Sequence, residues 1–168
     1  TGFHKEEFLP ELAFKLTETD LINMLLEEIN NGMDGTDICP GVIKCGTSYN
    51  NITETEVKII KAAAKVHILT GIPVSTHCDK GTMMLELLVK NGVKPENILL
   101  GHTDVQKDLN IQLEALKRGF NILTDHVGRE LDNIDEDRIR KIEIMIREGF
   151  GGQLFLSGDM GKKDYVTA

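Results

Sequence analysis

Hydrophobic positions along this chain recur at two alternating spacings, one typical of helices and one typical of short buried strands. In the segment Thr19–Asn31, leucine and isoleucine recur every three or four residues, which predicts an amphipathic helix. Thr17 or Thr19 is placed to cap this helix, and Gly32 is placed to end it. The first long element is therefore predicted to be a helix that buries one apolar face.

The strongest helical signal covers Thr53–Thr70. Thr53 and Glu56 have the spacing of a capping box, and Gly71 follows at the C-cap position. Three later segments have the same period and end near a glycine. We predict helices there, at Gly81–Asn91, Asp108–Arg118 and Asp135–Glu148, with Asp135 as the N-cap of the last.

Short apolar and β-branched runs separate the helical segments. We predict strands at Val42–Cys45, Pro73–Thr76, Asn97–Leu100, Phe120–Thr124 and Gln153–Leu156. Strands that alternate with amphipathic helices are typical of a parallel sheet with helical crossovers, and hence of the α/β class. No linker or low-complexity stretch interrupts the alternation, so we expect a single domain over residues 1–168.

Two α/β architectures fit this alternation, an open doubly wound sheet and a (β/α)8 barrel. The open sheet usually has a glycine-rich phosphate loop, and neither GxGxxG nor GxxxxGK[ST] occurs in the sequence. Polar, metal-capable residues instead follow almost every predicted strand, which is typical of a barrel. A barrel takes about 250 residues, so this chain would supply roughly five or six of its eight units. We therefore predict a partial (β/α)8 TIM barrel.

Composition and charge narrow the functional classes. Apolar residues make up 40% and charged residues 27%, which is ordinary for a globular chain and excludes a disordered or fibrous one. The formal charge of −8 with scattered cations argues against nucleic acid, and no apolar run approaches the length of about 20 residues that a membrane span needs. Three cysteines without a CxxC pair fit a reducing compartment, so we expect a cytoplasmic protein. From the charge and the apolar runs we expect neither nucleic-acid nor membrane partners.

Chemically capable side chains stand at successive predicted strand ends. They are Lys44, His77, His102, the pair Asp125-His126, and Asp159. One βα unit takes about 30 residues, and the intervals between these positions are close to that length, so the side chains are expected at one common mouth. Imidazoles and a carboxylate in one cavity suit zinc or a similar divalent ion. As an ammonium, Lys44 would be costly to bury and would repel a metal, which leaves an ion pair with Asp159 as an alternative.

The motifs GVIKCGTS, IPVSTHCD, ILLGHTD, ILTDHVG and LFLSGDMG, in this order and spacing, resemble the phosphotriesterase-like group of the amidohydrolase superfamily. The opening residues Thr1–His4 resemble that group's third strand, so the resemblance implies barrel strands three to eight. In this family the lysine is carboxylated on its ε-nitrogen and bridges two divalent metals. The resemblance therefore implies a CO2-derived carbamate on Lys44 and two metal ions, with zinc first and manganese, cobalt or iron as alternatives.

The same resemblance implies roles for the other strand-end residues. His77 and His102 would hold the more exposed metal, and Asp159 would hold the more buried metal and take the proton from a hydroxide that bridges both. Two metals lower the pKa of the bridging water and polarise the substrate oxygen. His126 matches a position that contacts substrate or relays protons, with plain loop structure as the alternative. His4 is expected to line the substrate pocket.

We also expect roles for three further residues. Asp125 is placed to orient a metal ligand or a nearby water. Asp104 is placed either to hydrogen-bond near His102 or to cap a helix. His67 lies inside a predicted helix and is expected to be structural.

The sequence departs from the family at one essential point. The family's first strand contributes an HxH pair to the buried metal, and no HxH occurs in this sequence. We therefore expect this sequence to be a piece of a longer protein. The first two barrel units are missing from this piece. If these residues were the whole protein, the alternative would be a catalytically incompetent fragment.

The stretch after Asp159 bears on the substrate. Lys162 and Tyr165 lie three residues apart, so both side chains can reach one anion from a single turn, with solvated loop residues as the alternative. One branch of the family hydrolyses phosphorylated sugar lactones. We thus predict a binuclear metal-dependent hydrolase that opens lactones, some of them phosphorylated, with phosphotriester or aryl-ester hydrolysis as the alternative. The family tends to form homodimers, which the resemblance implies here as well.

Overall fold

The computed structural model describes residues 1–48, 51–77, 83–129 and 134–161. Contacts within the chain separate it into two units, Thr1–Leu99 and Leu100–Ala168, and each is described by itself. The prediction of one domain over residues 1–168 is not tested by this division and stays a prediction. Among the described residues, no helix combines the length and the apolar character that a membrane crossing requires.

The first unit contains parallel strands joined by helices. Its helices are α1 (Glu11–Lys15), α2 (Glu18–Asn31), α3 (Glu54–Thr70) and α4 (Met83–Lys90), and its strands are β1 (Ile43–Gly46), β2 (Val74–His77) and β3 (Ile98–Leu100). β1 pairs with β2 in parallel, with Lys44 opposite Ser75, and β2 pairs with β3 in parallel. The helices α2 and α3 pack together through Leu21, Ile59 and Ala62, all of which are buried.

The first residues of the chain lie alongside β1 as a further extended segment. The backbone N–H of Lys44 donates to the carbonyl of Thr1 at 2.7 Å, and the N–H of Phe3 donates to the carbonyl of Lys44 at 2.9 Å. Gly2 and Lys44 form a parallel bridge. A Cβ atom on Gly2 would lie 2.0 Å from the Lys44 carbonyl oxygen, so this close approach requires glycine.

Both long helices of this unit begin at the capping threonines that the sequence indicates. Thr17 caps α2 through a reciprocal pair of hydrogen bonds with Asp20, and Thr53 caps α3 through the same arrangement with Glu56. Gly71 ends α3 in the left-handed conformation, with φ at 75°. The helix α1 was not predicted, because its five residues are too few to display a helical period.

The second unit contains the helices α5 (Leu109–Lys117) and α6 (Asp135–Arg147) and the strands β4 (Asn121–Thr124) and β5 (Leu154–Leu156). The two strands pair in parallel, with Ile122 opposite Leu154. Leu116 from α5, Ile122 from β4 and Met145 from α6 form a buried apolar cluster. A parallel strand pair with a helical crossover agrees with the α/β prediction.

One predicted helix cap in this unit is wrong. Ile134, not Asp135, occupies the N-cap position of α6, and its side chain makes no capping hydrogen bond. Asp135 is the first helical residue. Its carboxylate accepts hydrogen bonds from Arg138, three residues later, and from the backbone N–H of Gly128. The helix α5 begins one residue later than predicted, since Asp108 is its N-cap and accepts a hydrogen bond from the N–H of Asn110.

Candidate active site

In the first unit, Lys44 is half-buried in the middle of β1. Its ammonium Nζ donates to the carbonyl oxygen of Thr76 on the neighbouring strand at 3.0 Å. The adjacent Cys45 is fully buried and contacts the sulfur of Met84, which agrees with a packing role. The lysine therefore lies within a parallel strand, two residues before the C-terminal end of that strand.

His77 and His4 lie side by side at the end of β2. Their ring centroids are 3.9 Å apart, and Phe8 contacts the other side of His4 with a centroid distance of 5.2 Å. Gly46 permits this arrangement, because a Cβ atom there would lie 2.9 Å from the backbone nitrogen of Lys5. A close approach of the opening segment to β1 thus brings the predicted pocket residue His4 against the predicted ligand His77.

In the second unit, His102 immediately follows β3 and adopts a left-handed backbone conformation with φ at 57°. Its backbone N–H lies 3.1 Å and 3.2 Å from the two carboxylate oxygens of Asp125. Its ring atom Nδ1 lies 3.0 Å from Asp125 Oδ1. The carboxylate at the end of β4 therefore holds both the backbone and the ring of His102.

The electrostatics of Asp125 follow from this contact. Burial by itself raises the pKa of the Asp125 carboxyl, but the hydrogen bonds and charge of His102, with a further contribution from His126, more than offset it and hold the pKa below its usual range. An ionised Asp125 favours a proton on Nδ1 of His102. That tautomer carries its lone pair on Nε2, and metal-bound histidines are commonly oriented by a carboxylate in this manner.

His126 completes a group that suits a metal. Its ring stacks on His102, with centroids 5.0 Å apart and planes inclined by 12°. One candidate ligand atom each from His102, Asp125 and His126 lie within 4.8 Å of one another. Two imidazoles and a carboxylate form a donor set that zinc accepts, so the residues at this end of the second unit fit a divalent ion.

Asp159 follows β5 with a left-handed backbone conformation, φ at 44°. Its Oδ2 atom accepts a hydrogen bond from Arg129 Nη1 at 2.8 Å and lies 3.9 Å from His126 Nε2. The structure thus brings together Asp159 and His126, the two residues that the sequence predicts to be catalytic. Arg129 was not predicted from the sequence. Its position three residues after His126 would have indicated a charged group at this strand end.

Asp104 has the first of its two expected roles, a hydrogen bond near His102, because its partner His126 stacks on the His102 ring, and it does not cap a helix. It lies in a short 3-10 turn (Thr103–Val105), is 2% exposed, and accepts a hydrogen bond from the backbone N–H of His126 at 3.1 Å. It also pairs with Arg138, a residue that the sequence reading did not single out. His67 has its expected structural role, since it is buried within α3 and its Nδ1 lies 2.8 Å from the Ile72 carbonyl oxygen. Lys162 and Tyr165 lie outside the described residues.

Similarity to known proteins covers the entire sequence. The sequence model of the Phosphotriesterase family matches residues 1–168. The Phosphotriesterase homology protein of Escherichia coli is 33% identical over 172 residues, which cover 100% of this chain and 59% of that protein. The Phospho-furanose lactonase of Mycoplasmopsis synoviae is 31% identical, over 96% of this chain and 51% of that protein.

The fold agrees with a solved structure of this group. The crystal structure of the Escherichia coli Phosphotriesterase homology protein, complexed with phosphate in its active site, superposes with a TM-score of 0.93 over 98% of this chain and 58% of that one. The likeness identifies the α/β fold as part of a (β/α)8 barrel, and the chain spans between half and three fifths of the length of these relatives. On the match over its whole length, the chain belongs to the Phosphotriesterase family.

Proposed function

We propose that this chain is the metal-binding part of a metal-dependent hydrolase that opens lactones, with a preference for phosphorylated sugar lactones. The observation that carries the proposal is the contact between His102 and Asp125, with the His126 ring stacked beside it. A carboxylate that fixes a histidine tautomer is a common companion of a metal ligand. Family membership supports hydrolysis as the reaction.

The proposed metal ligands follow from the family resemblance of their motifs. They are Lys44 as its carbamate, His77, His102 and Asp159. Divalent ions held by these residues would supply Lewis acidity at the substrate oxygen and lower the pKa of water. Zinc is the proposed metal because imidazole and carboxylate ligands suit it.

The residues of the second unit have distinct tasks in this proposal. Asp125 keeps the proton on Nδ1 of His102 and so holds that ring in one orientation. Asp159 takes the proton of the attacking water at Oδ2. His126 then relays it through Nε2, which lies 3.9 Å from Asp159 Oδ2.

Arg129 affects when Asp159 can act. Its guanidinium binds the same Oδ2 atom that the proposal gives to the proton. We propose that this ion pair rearranges when the site is loaded, so that Arg129 faces the substrate and Asp159 is released for the proton.

The substrate preference rests on the stretch after Asp159 and on the relatives. Lys162 and Tyr165 supply a point charge and a hydroxyl within one turn, which suits a phosphate group. One relative is named for a phospho-furanose lactone, and the structure of another holds phosphate in its active site. The homodimer and the cytoplasmic location remain part of the proposal, on family resemblance and on cysteine chemistry respectively.

The test is a hydrolysis assay on matched lactones with and without a terminal phosphate. The protein is expressed from its complete reading frame, stripped of metal, and assayed before and after zinc is restored. The proposal predicts zinc-dependent opening of both lactones and faster opening of the phosphorylated one. Lys162→Ala and Tyr165→Phe should remove the preference for phosphate while the plain lactone reacts as before.

Three outcomes would replace the proposal. Hydrolysis of an aryl phosphotriester in preference to either lactone would make the protein a phosphotriesterase. Equal rates on the two lactones, unchanged in Lys162→Ala, would reject the phosphate clamp and leave an acyl-lactone substrate. Absence of any zinc-dependent hydrolysis would identify a catalytically incompetent member of the family.

A further inference from the structure

Arg138 is a buried cation in the first turn of α6. Its side chain is 2% exposed, and three of its nitrogen atoms donate hydrogen bonds within the second unit. Nε donates to Asp104 Oδ2 at 2.9 Å, Nη1 donates to Asp135 Oδ1 at 2.6 Å, and Nη2 donates to the carbonyl oxygen of Arg129 at 2.7 Å. Burial of a guanidinium is costly unless such partners satisfy it, so the residue has a specific task.

Both carboxylates that Arg138 binds also hold the segment that carries His126. Asp104 Oδ2 accepts the backbone N–H of His126 at 3.1 Å. The carboxylate oxygens of Asp135 lie 3.1 Å and 3.2 Å from the backbone nitrogen of Gly128. Together with its own bond to Arg129, the guanidinium fixes residues 126–129 at three points.

The remaining oxygen of Asp104 faces the His126 ring. Asp104 Oδ1 lies 3.6 Å from His126 Nδ1, on the opposite side of the ring from the Nε2 atom that faces Asp159. Arg138 fixes the position of that carboxylate through Oδ2.

We infer that Arg138 is a positioning residue for the active site: through Asp104 and Asp135 it fixes the backbone that carries His126, and through the Arg129 carbonyl it sets the reach of the Arg129 side chain towards Asp159. The inference rests on the proposed function only in that His126 relays a proton there. The contacts themselves belong to this chain and need no substrate.

Lys141, one turn further along α6, shows what a purely structural cation does in the same helix. Its side chain is 5% exposed, and Nζ binds the carbonyl of Gln106 at 2.9 Å and the carboxylate of Asp137 at 2.8 Å. Neither partner holds His126, Arg129 or Asp159 in the described contacts. Lys141→Met therefore removes a buried cation from α6 without touching the proposed positioning network, and it is the matched control.

The first arm of the test reads the ring nitrogens of His126 by 15N NMR, with the signal assigned through His126→Asn. The complete protein is used, with and without added zinc, as parent, Arg138→Met, Arg138→Lys and Lys141→Met. Arg138→Met should shift and broaden the His126 ring signals, because residues 126–129 lose the three points that hold them, and Arg138→Lys should do so in part. His67, held by Ile72 in the first unit, is the internal reference and should not change.

The second arm measures lactone hydrolysis by the same proteins. Arg138→Met should lower kcat by about tenfold or more while KM and bound zinc stay within about twofold, because general acid–base steps contribute factors of this size or larger. Lys141→Met should leave kcat per folded molecule unchanged. If Arg138→Met does not fold, Arg138→Lys decides the test by the same readings.

An unchanged His126 spectrum in the folded Arg138 variants would overturn the inference, whatever the enzyme hydrolyses. A change in the His126 spectrum of Lys141→Met equal to that in Arg138→Met would overturn it too, because any buried cation of α6 would then suffice. If the spectrum shifts as expected but no lactone is hydrolysed by the parent, the positioning role holds and the proposed function fails.

Discussion

In each unit a buried carboxylate holds a loop that follows a strand, and the two compared below, Glu56 and Asp104, differ in their partners. In the first unit, Glu56 is fully buried and accepts hydrogen bonds from Ser48, Glu6 and Thr53. In the second unit, Asp104 is equally buried but binds Arg138 and the backbone of His126.

The partners distinguish a carboxylate that supports the fold from one that belongs to the candidate site. The described hydrogen bonds to Glu56 come from backbone N–H groups and a serine hydroxyl, so this carboxylate satisfies donors and fixes the loop after β1. Asp104 instead lies between the buried guanidinium of Arg138 and the imidazole of His126, which are both ionisable groups. A buried carboxylate with only neutral donors therefore indicates a scaffold, and one with ionisable partners indicates a functional site.

The largest expected effect tests the scaffold side of this comparison. Glu56→Ala removes the N3 member of a capping box and leaves several buried donors unsatisfied, so we expect a loss of about 3 kcal/mol in unfolding free energy. Urea denaturation measures it. Glu54→Ala, an exposed carboxyl two residues earlier in the same helix, is the control and should cost less than about 0.5 kcal/mol. Equal losses in the two variants would remove Glu56 from its supporting role.

The next effect concerns Asp125, which supports a proposed ligand in the second unit. Asp125→Asn keeps the shape but loses the charge that orients His102, so zinc affinity should fall by about 10- to 100-fold. Competition with a chromophoric chelator measures the affinity. Asp108→Asn, at the exposed cap of α5, is the matched control, and an equal loss of affinity there would show that the His102 contact is irrelevant to the metal.

The smallest effect is a pH dependence at the start of α2. Hydrogen bonds from Thr17, through its side chain and then its backbone, hold the pKa of Asp20 below its usual 3.8. Because the folded-state pKa is the lower one, the unfolded state binds more protons in acid, and the stability from Asp20 is present above its unfolded pKa and lost as pH falls through the lowered value.

Acid unfolding curves measure this dependence. Asp20→Asn should flatten the fall in unfolding free energy with decreasing pH below about pH 5. Glu18→Gln, in the same exposed turn, controls for the loss of one negative charge. A fall in Asp20→Asn as steep as in the parent would contradict the role of the capping box.

Local signals in the sequence predicted most of the fold. The capping boxes at Thr17 and Thr53 and the glycine at 71 act within one turn, so the ends of α2 and α3 follow from neighbouring residues. The strands begin and end within one or two residues of their predicted bounds, because a buried parallel strand is a short apolar run. The short α1 lacks such a signal and was missed.

The candidate site was predictable only in its strand-end residues. His102, His126 and Asp159 follow directly from their positions after β3, β4 and β5. The pair of Asp104 and Arg138 joins residues 34 positions apart, and no spacing rule relates a turn after one strand to the first turn of a later helix. Asp135 was taken for a cap because its residue type favours caps, whereas its partner in the fold is an arginine.

The most direct test of the proposed function is the metal content of the complete protein and of Lys44→Ala. The proposal predicts about two divalent ions per parent chain by elemental analysis, and a loss of most of that metal in Lys44→Ala. Acetate or propionate should partly restore it by taking the place of the carbamate. Full metal content and full lactone hydrolysis in Lys44→Ala would contradict the proposal.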